Sequence, residues 1–319
     1  DLRRGHALWL EEWALLTHPE WALVLGQGQT VSPFTTGYQE GSTRQPCLNA
    51  PGVAGAARAR AAARMETGAD GLFIDNVDPA PICYGNRIGR HPHMDPTADN
   101  SLALKRLIAE IRKDVKARGA DKVVVINTGG RTRSFSEAAD GSALESYLFE
   151  GRHPGPHLSF RQMLATARHY GDYLSAGGAV LVFSYLPPAP PAIRKEWAFY
   201  AAGAARLSGF AWTDWDSADG SGAEPLARLR LGLPLSPMEE RETVWVRRFE
   251  HGMVAVLPPG QPDTPFPLPP DSLPAEGAGG PWRDEFTGRP AGDHVMLKAG
   301  TARVFTSTQT TSPRESVRP

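Results

Sequence analysis

Two acidic residues stand where short apolar runs meet polar chain. Asp75 closes Gly71-Leu72-Phe73-Ile74, which is entered through the turn Gly68-Ala69-Asp70, and Glu145 lies within Ala143-Leu144-Glu145-Ser146-Tyr147-Leu148. Glycosidic bonds are commonly cleaved between two carboxyl groups, one ionised to attack or to activate water and one protonated to assist the leaving group. Carboxylates at the ends of buried parallel strands can supply such a pair, because parallel α/β folds carry their chemistry at the C-terminal ends of strands. Asn76, Asp78, Asn127, Tyr147, Tyr185, Trp212 and Asp214 stand at or beside predicted strand ends. They are candidates to bind sugar hydroxyls and to pack against sugar faces. Glu150 is a rival to Glu145 but is expected in the following loop, and Asp70 is expected to cap the turn before its strand.

His91-Pro92-His93-Met94-Asp95 offers two imidazoles and a carboxylate, all standard zinc ligands. A proline between the histidines and a loop setting give them no rigid element, so a metal-dependent hydrolase ranks behind the carboxylate pair and no metal is assigned. Cys47 and Cys83 are the only cysteines, too few for a disulfide scaffold or a four-cysteine zinc site. One bridge and two buried thiols are both open. No Gly-x-Gly-x-x-Gly follows a strand, and neither a Walker loop nor a Gly-x-Ser-x-Gly elbow is present, so no cofactor is expected.

The elements that must position these residues alternate. Val53 to Thr67 is alanine-rich and helical by propensity, and it leads into the run at 72–74. Asn100 to Arg118 carries apolar residues at helical spacing and stops at Gly119, before the buried strand Val123 to Asn127. A strand at 143–148, a helix from Phe160 to Leu174, a strand from Ala179 to Tyr185, a helix from Ala192 to Leu207 and a strand from Gly209 to Thr213 follow. Such alternation predicts successive βαβ units and an α/β fold, a (β/α)8 TIM-type barrel, with an open sheet as the runner-up. With a very short strand near Pro46 there are about six strands, roughly two short of the eight a closed barrel needs. The first two are expected to be missing from this chain, since residues 1–24 read as an amphipathic helix.

Beyond residue 236 the pattern becomes antiparallel. Val244 to Phe249 and Met253 to Leu257 flank Glu250-His251-Gly252 as a hairpin, and a last strand pair is expected near His294–Leu297 and Ala302–Phe305. The expected division is a barrel over 1–235, a small antiparallel β domain of sandwich type over 236–306, and a disordered tail over 307–319.

With 34 basic against 35 acidic residues, nothing in the charge favours nucleic acid or an anionic membrane surface. No apolar run approaches the ~20 residues of a membrane helix. Eight tryptophans and seven tyrosines suit a carbohydrate partner better. The chain opens on Asp1 without a methionine, which fits a mature or trimmed form; a secreted or periplasmic setting is expected ahead of a cytoplasmic one, which stays open.

The runs Gly68-Ala69-Asp70-Gly71-Leu72-Phe73-Ile74-Asp75-Asn76-Val77-Asp78 and Asp140-Gly141-Ser142-Ala143-Leu144-Glu145-Ser146-Tyr147-Leu148-Phe149 resemble the strand-four and strand-six motifs of a group of barrel glycoside hydrolases. That group is endo-α-1,4-polygalactosaminidase (glycoside hydrolase family 114) and related glycosidases. The resemblance spans roughly residues 45–215 and implies that Asp75 and Glu145 are the catalytic pair. The terminal β domain likewise resembles the sandwich that often follows glycosidase barrels. The Cys83-Tyr84-Gly85 loop and the two absent leading strands depart from the pattern. The expectation is a glycoside hydrolase of an α-linked polysaccharide or oligosaccharide with Asp75 as nucleophile and Glu145 as acid/base. The alternative is a non-catalytic carbohydrate-binding protein on a degenerate barrel. Sugar identity, linkage and oligomeric state are not fixed by these motifs.

Overall fold

A computed structural model describes residue 21, residues 46–75, 77, 83, 92–93, 100–128, 133–150, 156, 158–214, 226, 229–269 and 282–307. All but Trp21 of the helix expected over 1–24, all but the first residue of the tail, and the candidates Asn76 and Asp78 lie outside this set. The chain divides into two compact units, Asp1–Leu144 and Glu145–Pro319.

In the first unit, helix α1 (Val53–Met65) buries Val53, Ala57, Ala61 and Met65 at intervals of four, one stripe of the helix. Gly52 precedes it with φ +91°, and a Cβ there would stand 2.9 Å from the Trp21 ring. Both observations call for glycine. Strand β1 (Gly71–Ile74) runs parallel to β2 (Val123–Asn127), which runs parallel to β3 (Gly141–Leu144). Helix α2 (Asn100–Lys116) connects β1 to β2 and buries Leu107, Ile108, Ile111 and Val115. These side chains join Ile74, Val124, Ile126 and the α1 stripe in one core. The residue expected to form a strand near Pro46 makes only a single bridge.

Asp140 fixes the entry to β3. Its carboxylate accepts hydrogen bonds from the Val124 amide at 2.9 Å and Arg112 Nε at 2.9 Å, and it pairs with Lys116 Nζ at 3.3 Å. Burial alone would raise this carboxyl, but the Val124 amide, Arg112 and Lys116 outweigh it and hold it below the usual carboxylate range.

The second unit contains a parallel pair, β4 (Ala179–Ser184) and β5 (Ala211–Asp214). Helix α3 (Phe160–Ser175) precedes β4 and starts with a capping box. The Gln162 amide donates to Ser159 Oγ at 3.3 Å, while the Ser159 amide donates to Gln162 Oε1 at 2.7 Å. Helix α4 (Pro191–Ser208) links β4 to β5 and has proline in its first turn.

The remaining strands are antiparallel. A six-stranded sheet has the order β11 (Arg289–Pro290), β10 (Trp282–Asp284), β13 (Thr301–Ser307), β8 (Gly252–Leu257), β7 (Val244–Phe249) and β6 (Glu239–Arg241). The expected hairpin is β7–β8, with Phe249 opposite Gly252. The expected last pair takes a different form: β12 (His294–Leu297) pairs with β9 (Thr264–Pro267), while β13 pairs with β8 and β10. Lys298 to Gly300 therefore lead from one sheet to the other rather than closing a hairpin, a long-range choice that local alternation does not encode.

Helix α4 is apolar nearly all round, with Ala198 to Ala205 buried without a break. Such a helix must be covered on more than one side. Phe149 meets Trp197 at 5.7 Å on one side, and β8 and β13 cover another. A Cβ on Gly203 would come within 2.5 Å of Ala302 Cβ and 3.4 Å of Val256 Cγ2. Every residue of β8 is buried as a result. Its Val254 and Val256 approach α4, and Met253, Ala255 and Leu257 enter the core with Phe266, Leu297 and Phe305. Phe286 extends the contact, edge-on to Phe199 at 5.1 Å and beneath the Arg303 guanidinium at 4.0 Å. Lys195 Nζ donates to its carbonyl at 2.6 Å.

Two stability effects follow. Gly203→Val should destabilise the protein by about 1–3 kcal/mol through overpacking, and Ala302→Gly in the same chain should recover part of the loss; urea unfolding of the single and double variants measures both. Asp140→Asn should cost about 1–3 kcal/mol at neutral pH, because it removes a charge from a largely buried hydrogen-bonded site. A depressed folded-state pKa contributes stability above the unfolded value of about 3.9 and loses it as pH falls through the folded value. The deficit of the variant should therefore be complete near pH 7 and shrink below about pH 4, as read from urea midpoints across that range.

Candidate active site

The register of β1 and β2 sets Ile74 opposite Ile126, so the next residues, Asp75 and Asn127, are neighbours. Asn127 Nδ2 donates to Asp75 Oδ1 at 2.8 Å. The Asn127 carbonyl accepts from the Val77 amide at 2.8 Å, so the same residue holds the chain on both sides of position 76. Asp75 is half-buried and Asn127 is buried. A carboxylate with one oxygen fixed by an amide donor has a defined orientation. Below Asn127, Thr128 and Ser142 hydroxyls lie 3.5 Å apart.

Glu145 is placed differently from the sequence expectation. β3 ends at Leu144, and Glu145 stands beyond it, exposed, at the start of a turn rather than within a strand. Ser146 and Leu148 both have positive φ, 58° and 63°. For residues with a Cβ that conformation costs on the order of 1 kcal/mol each, so the surrounding contacts must impose it. Those contacts come from the end of β4. The Tyr147 amide donates to the Phe183 carbonyl at 2.7 Å, Ser184 Oγ donates to the Tyr147 carbonyl at 2.7 Å, and the Tyr185 amide donates to the Phe149 carbonyl at 3.0 Å. Glu150 then forms a parallel bridge with Tyr185. The Tyr185 phenol donates to Glu145 Oε1.

The other candidates sort by position. Trp212 is half-buried, and its indole Nε1 donates to Ser184 Oγ at 3.0 Å. Trp212, Ser184 and the Tyr147 carbonyl thus form one chain of hydrogen bonds beneath the turn. Tyr147 points into the core, edge-on to Phe210 at 6.1 Å, and burial pushes its phenol above the usual range. Asp214 is the last residue of β5, in register with Ser184. Ser184 is the residue that sequence reasoning passed over. Its only signal was its place as the small polar residue closing an apolar strand.

Sequence reasoning also missed a second group. Cys47 and Cys83 are buried thiols rather than a bridge. With His93 they place three potential ligand atoms within 4.8 Å of one another. His93 was noted with His91, its neighbour in sequence, whereas its partners in space come from distant positions. His91 lies outside the described residues.

Residues 4–253 match the family described as hypothetical glycosyl hydrolase family 15. No curated protein matches the chain. Among solved structures, a Bacillus licheniformis trehalose-6-phosphate hydrolase variant aligns at TM-score 0.51 and 10% identity, covering 90% of this chain and 78% of that one. Isomalto-dextranase from Arthrobacter globiformis, complexed with panose, aligns at TM-score 0.48 and 13% identity, covering 89% of this chain. This chain spans about half, 52%, of that enzyme's length. The glycoside hydrolase domain of PelA from Pseudomonas aeruginosa aligns at TM-score 0.38 and 18% identity, covering 57% and 66%. At 10% identity the likeness to the trehalose-6-phosphate hydrolase variant is one of fold. No helix among the described residues is long and apolar enough to cross a membrane. The family match extends over well more than half of the sequence, and the chain accordingly belongs to the hypothetical glycosyl hydrolase family 15, a family of glycoside hydrolases.

Proposed function

We propose that the chain cleaves an α-linked polysaccharide or oligosaccharide, with Asp75 as nucleophile and Glu145 as acid/base in a retaining reaction. The observation that carries this reading is the placement of the two acids. Each directly follows a parallel strand, and each accepts a hydrogen bond from a neutral donor, Asn127 or Tyr185. Such donors hold a carboxylate in a fixed orientation, which suits a group that must attack carbon or exchange a proton. The motifs around both acids also resemble those of endo-α-1,4-polygalactosaminidase and its relatives. The barrel occupies residues 1–235 as part of a (β/α)8 fold, and residues 236–306 form an accessory β domain. Asn76, Asp78, Asn127, Tyr185, Trp212 and Asp214 are the residues proposed to bind the sugar, while Tyr147, buried in the core, supports the Glu145 turn.

The test is a panel of α-linked polysaccharides, with the anomer of the product read by NMR. Retention of configuration is expected, as required for carboxyl groups about 5 Å apart; inversion would instead imply roughly 6.5–9.5 Å and a base in place of the nucleophile. Asp75→Asn and Glu145→Gln should each lower kcat by about 10²-fold or more while leaving the circular dichroism and unfolding midpoint near those of the parent. Full activity in either variant ends the assignment. Carbohydrate binding without turnover by the unmodified chain selects the non-catalytic alternative.

Asn127→Asp tests the geometry at Asp75 independently of substrate. It sets a carboxylate where an amide stood 2.8 Å away. Two acids so close cannot both ionise freely, so one should titrate above the ordinary aspartate range. Carbon-13 NMR of labelled aspartate carboxyl groups should show one new high-titrating signal.

A further inference from the structure

The geometry points to a zinc-binding site formed by Cys47, Cys83 and His93, separate in its residues from the carboxylates of the proposed reaction. Cys47 Sγ lies 3.6 Å from His93 Nε2. Tetrahedral zinc with Zn–S of about 2.3 Å and Zn–N of about 2.0–2.1 Å places a sulfur and a nitrogen ligand roughly 3.6 Å apart. All three ligand atoms lie within 4.8 Å of one another, which leaves room for one ion at their centre. Asn100, wholly buried at the start of α2, brings its Oδ1 to 3.6 Å from the same Cys47 sulfur, so an oxygen donor stands beside the three.

The surroundings suit a closed structural site. Cys47 and Cys83 are 0% and 1% exposed and pack with Ala50 and Val53, with Trp21 and Leu48 alongside. Two thiolates and a neutral imidazole around a divalent ion sum to zero net charge, the arrangement that a buried apolar pocket tolerates best. On binding, the two thiols release their protons to solvent and their sulfur lone pairs fill the zinc–sulfur bonds. No oxidant or reductant takes part.

Cys47 precedes α1, whereas Cys83 and His93 belong to the connection between β1 and α2, which begins at Asp75. Zinc would therefore clamp two points of the segment leaving the candidate nucleophile to the base of α1. A site of this type adds folding free energy outright.

The test uses the full chain purified without chelator in a non-thiol reductant. About one zinc ion per chain is expected by mass-spectrometric metal analysis. After exchange with cobalt(II), thiolate-to-metal charge transfer and intense tetrahedral visible bands should appear. Loss of a second-shell partner typically costs 10–100-fold in metal affinity, so His93→Ala should weaken zinc binding by at least ~100-fold in chelator competition. Should Cys47→Ser or Cys83→Ser fail to fold, the cobalt spectrum of the unmodified chain still decides. Substoichiometric zinc in folded, reduced protein, or an octahedral cobalt spectrum without sulfur charge transfer, overturns the proposal. So does an intact mass showing a Cys47–Cys83 bridge in protein purified without reductant from zinc-supplied cells.

Discussion

Parallel strand pairing in fixed register is the constraint on which the candidate site depends. A parallel ladder gives its strands one direction, so the residues that follow them emerge at one end and at one level. This turns sequence neighbours of apolar runs into spatial neighbours of each other. Asp75 meets Asn127 because Ile74 meets Ile126, and separate hydrogen bonds from the end of β4 hold the turn carrying Glu145. The polar groups sit at strand ends because the strand interiors are covered, where an unpaired carboxylate would carry a heavy desolvation cost. Site and core are therefore two results of one pattern.

The Glu145 turn shows how local strain is held in place. Two residues with side chains adopt left-handed backbone conformations within three positions, and the Tyr147 amide and carbonyl between them find partners on β4 and within the turn. The series from Trp212 through Ser184 to the Tyr147 carbonyl adds a side-chain brace made wholly of neutral groups. The Tyr185 phenol in turn donates to the Glu145 carboxylate.

Much of this arrangement was legible in sequence. The helices α1 to α4 and the strands β1, β2, β4 and β5 fall within a few residues of their expected positions, because each has a sustained apolar period and α2 has a clear stop signal at Gly119. Asp75 at a strand end was readable for the same reason. The end of β3 was not, since Leu144-Glu145-Ser146-Tyr147 alternates like a strand and only the contacts with β4 bend it. The partners of β9 and β12 were hidden because pairing between distant segments leaves no local trace. The cysteine and histidine cluster was hidden similarly: its members are near one another only after α1, β1 and α2 have packed.

Helix α4 has a consequence for how the chain comes to be folded. One side faces segments already synthesised when it forms, and another is covered by β8 and β13, which close around Gly203 through Val254, Val256 and Ala302. At translation rates of 5–20 residues per second, the chain from the end of α4 to Ala302 takes roughly 5–20 s to appear. During that interval a smooth stripe of alanine and glycine stands uncovered on a nascent helix. The order of synthesis thus creates a window in which this surface is open to chaperones or to other nascent chains, and the arrival of β13 shuts it.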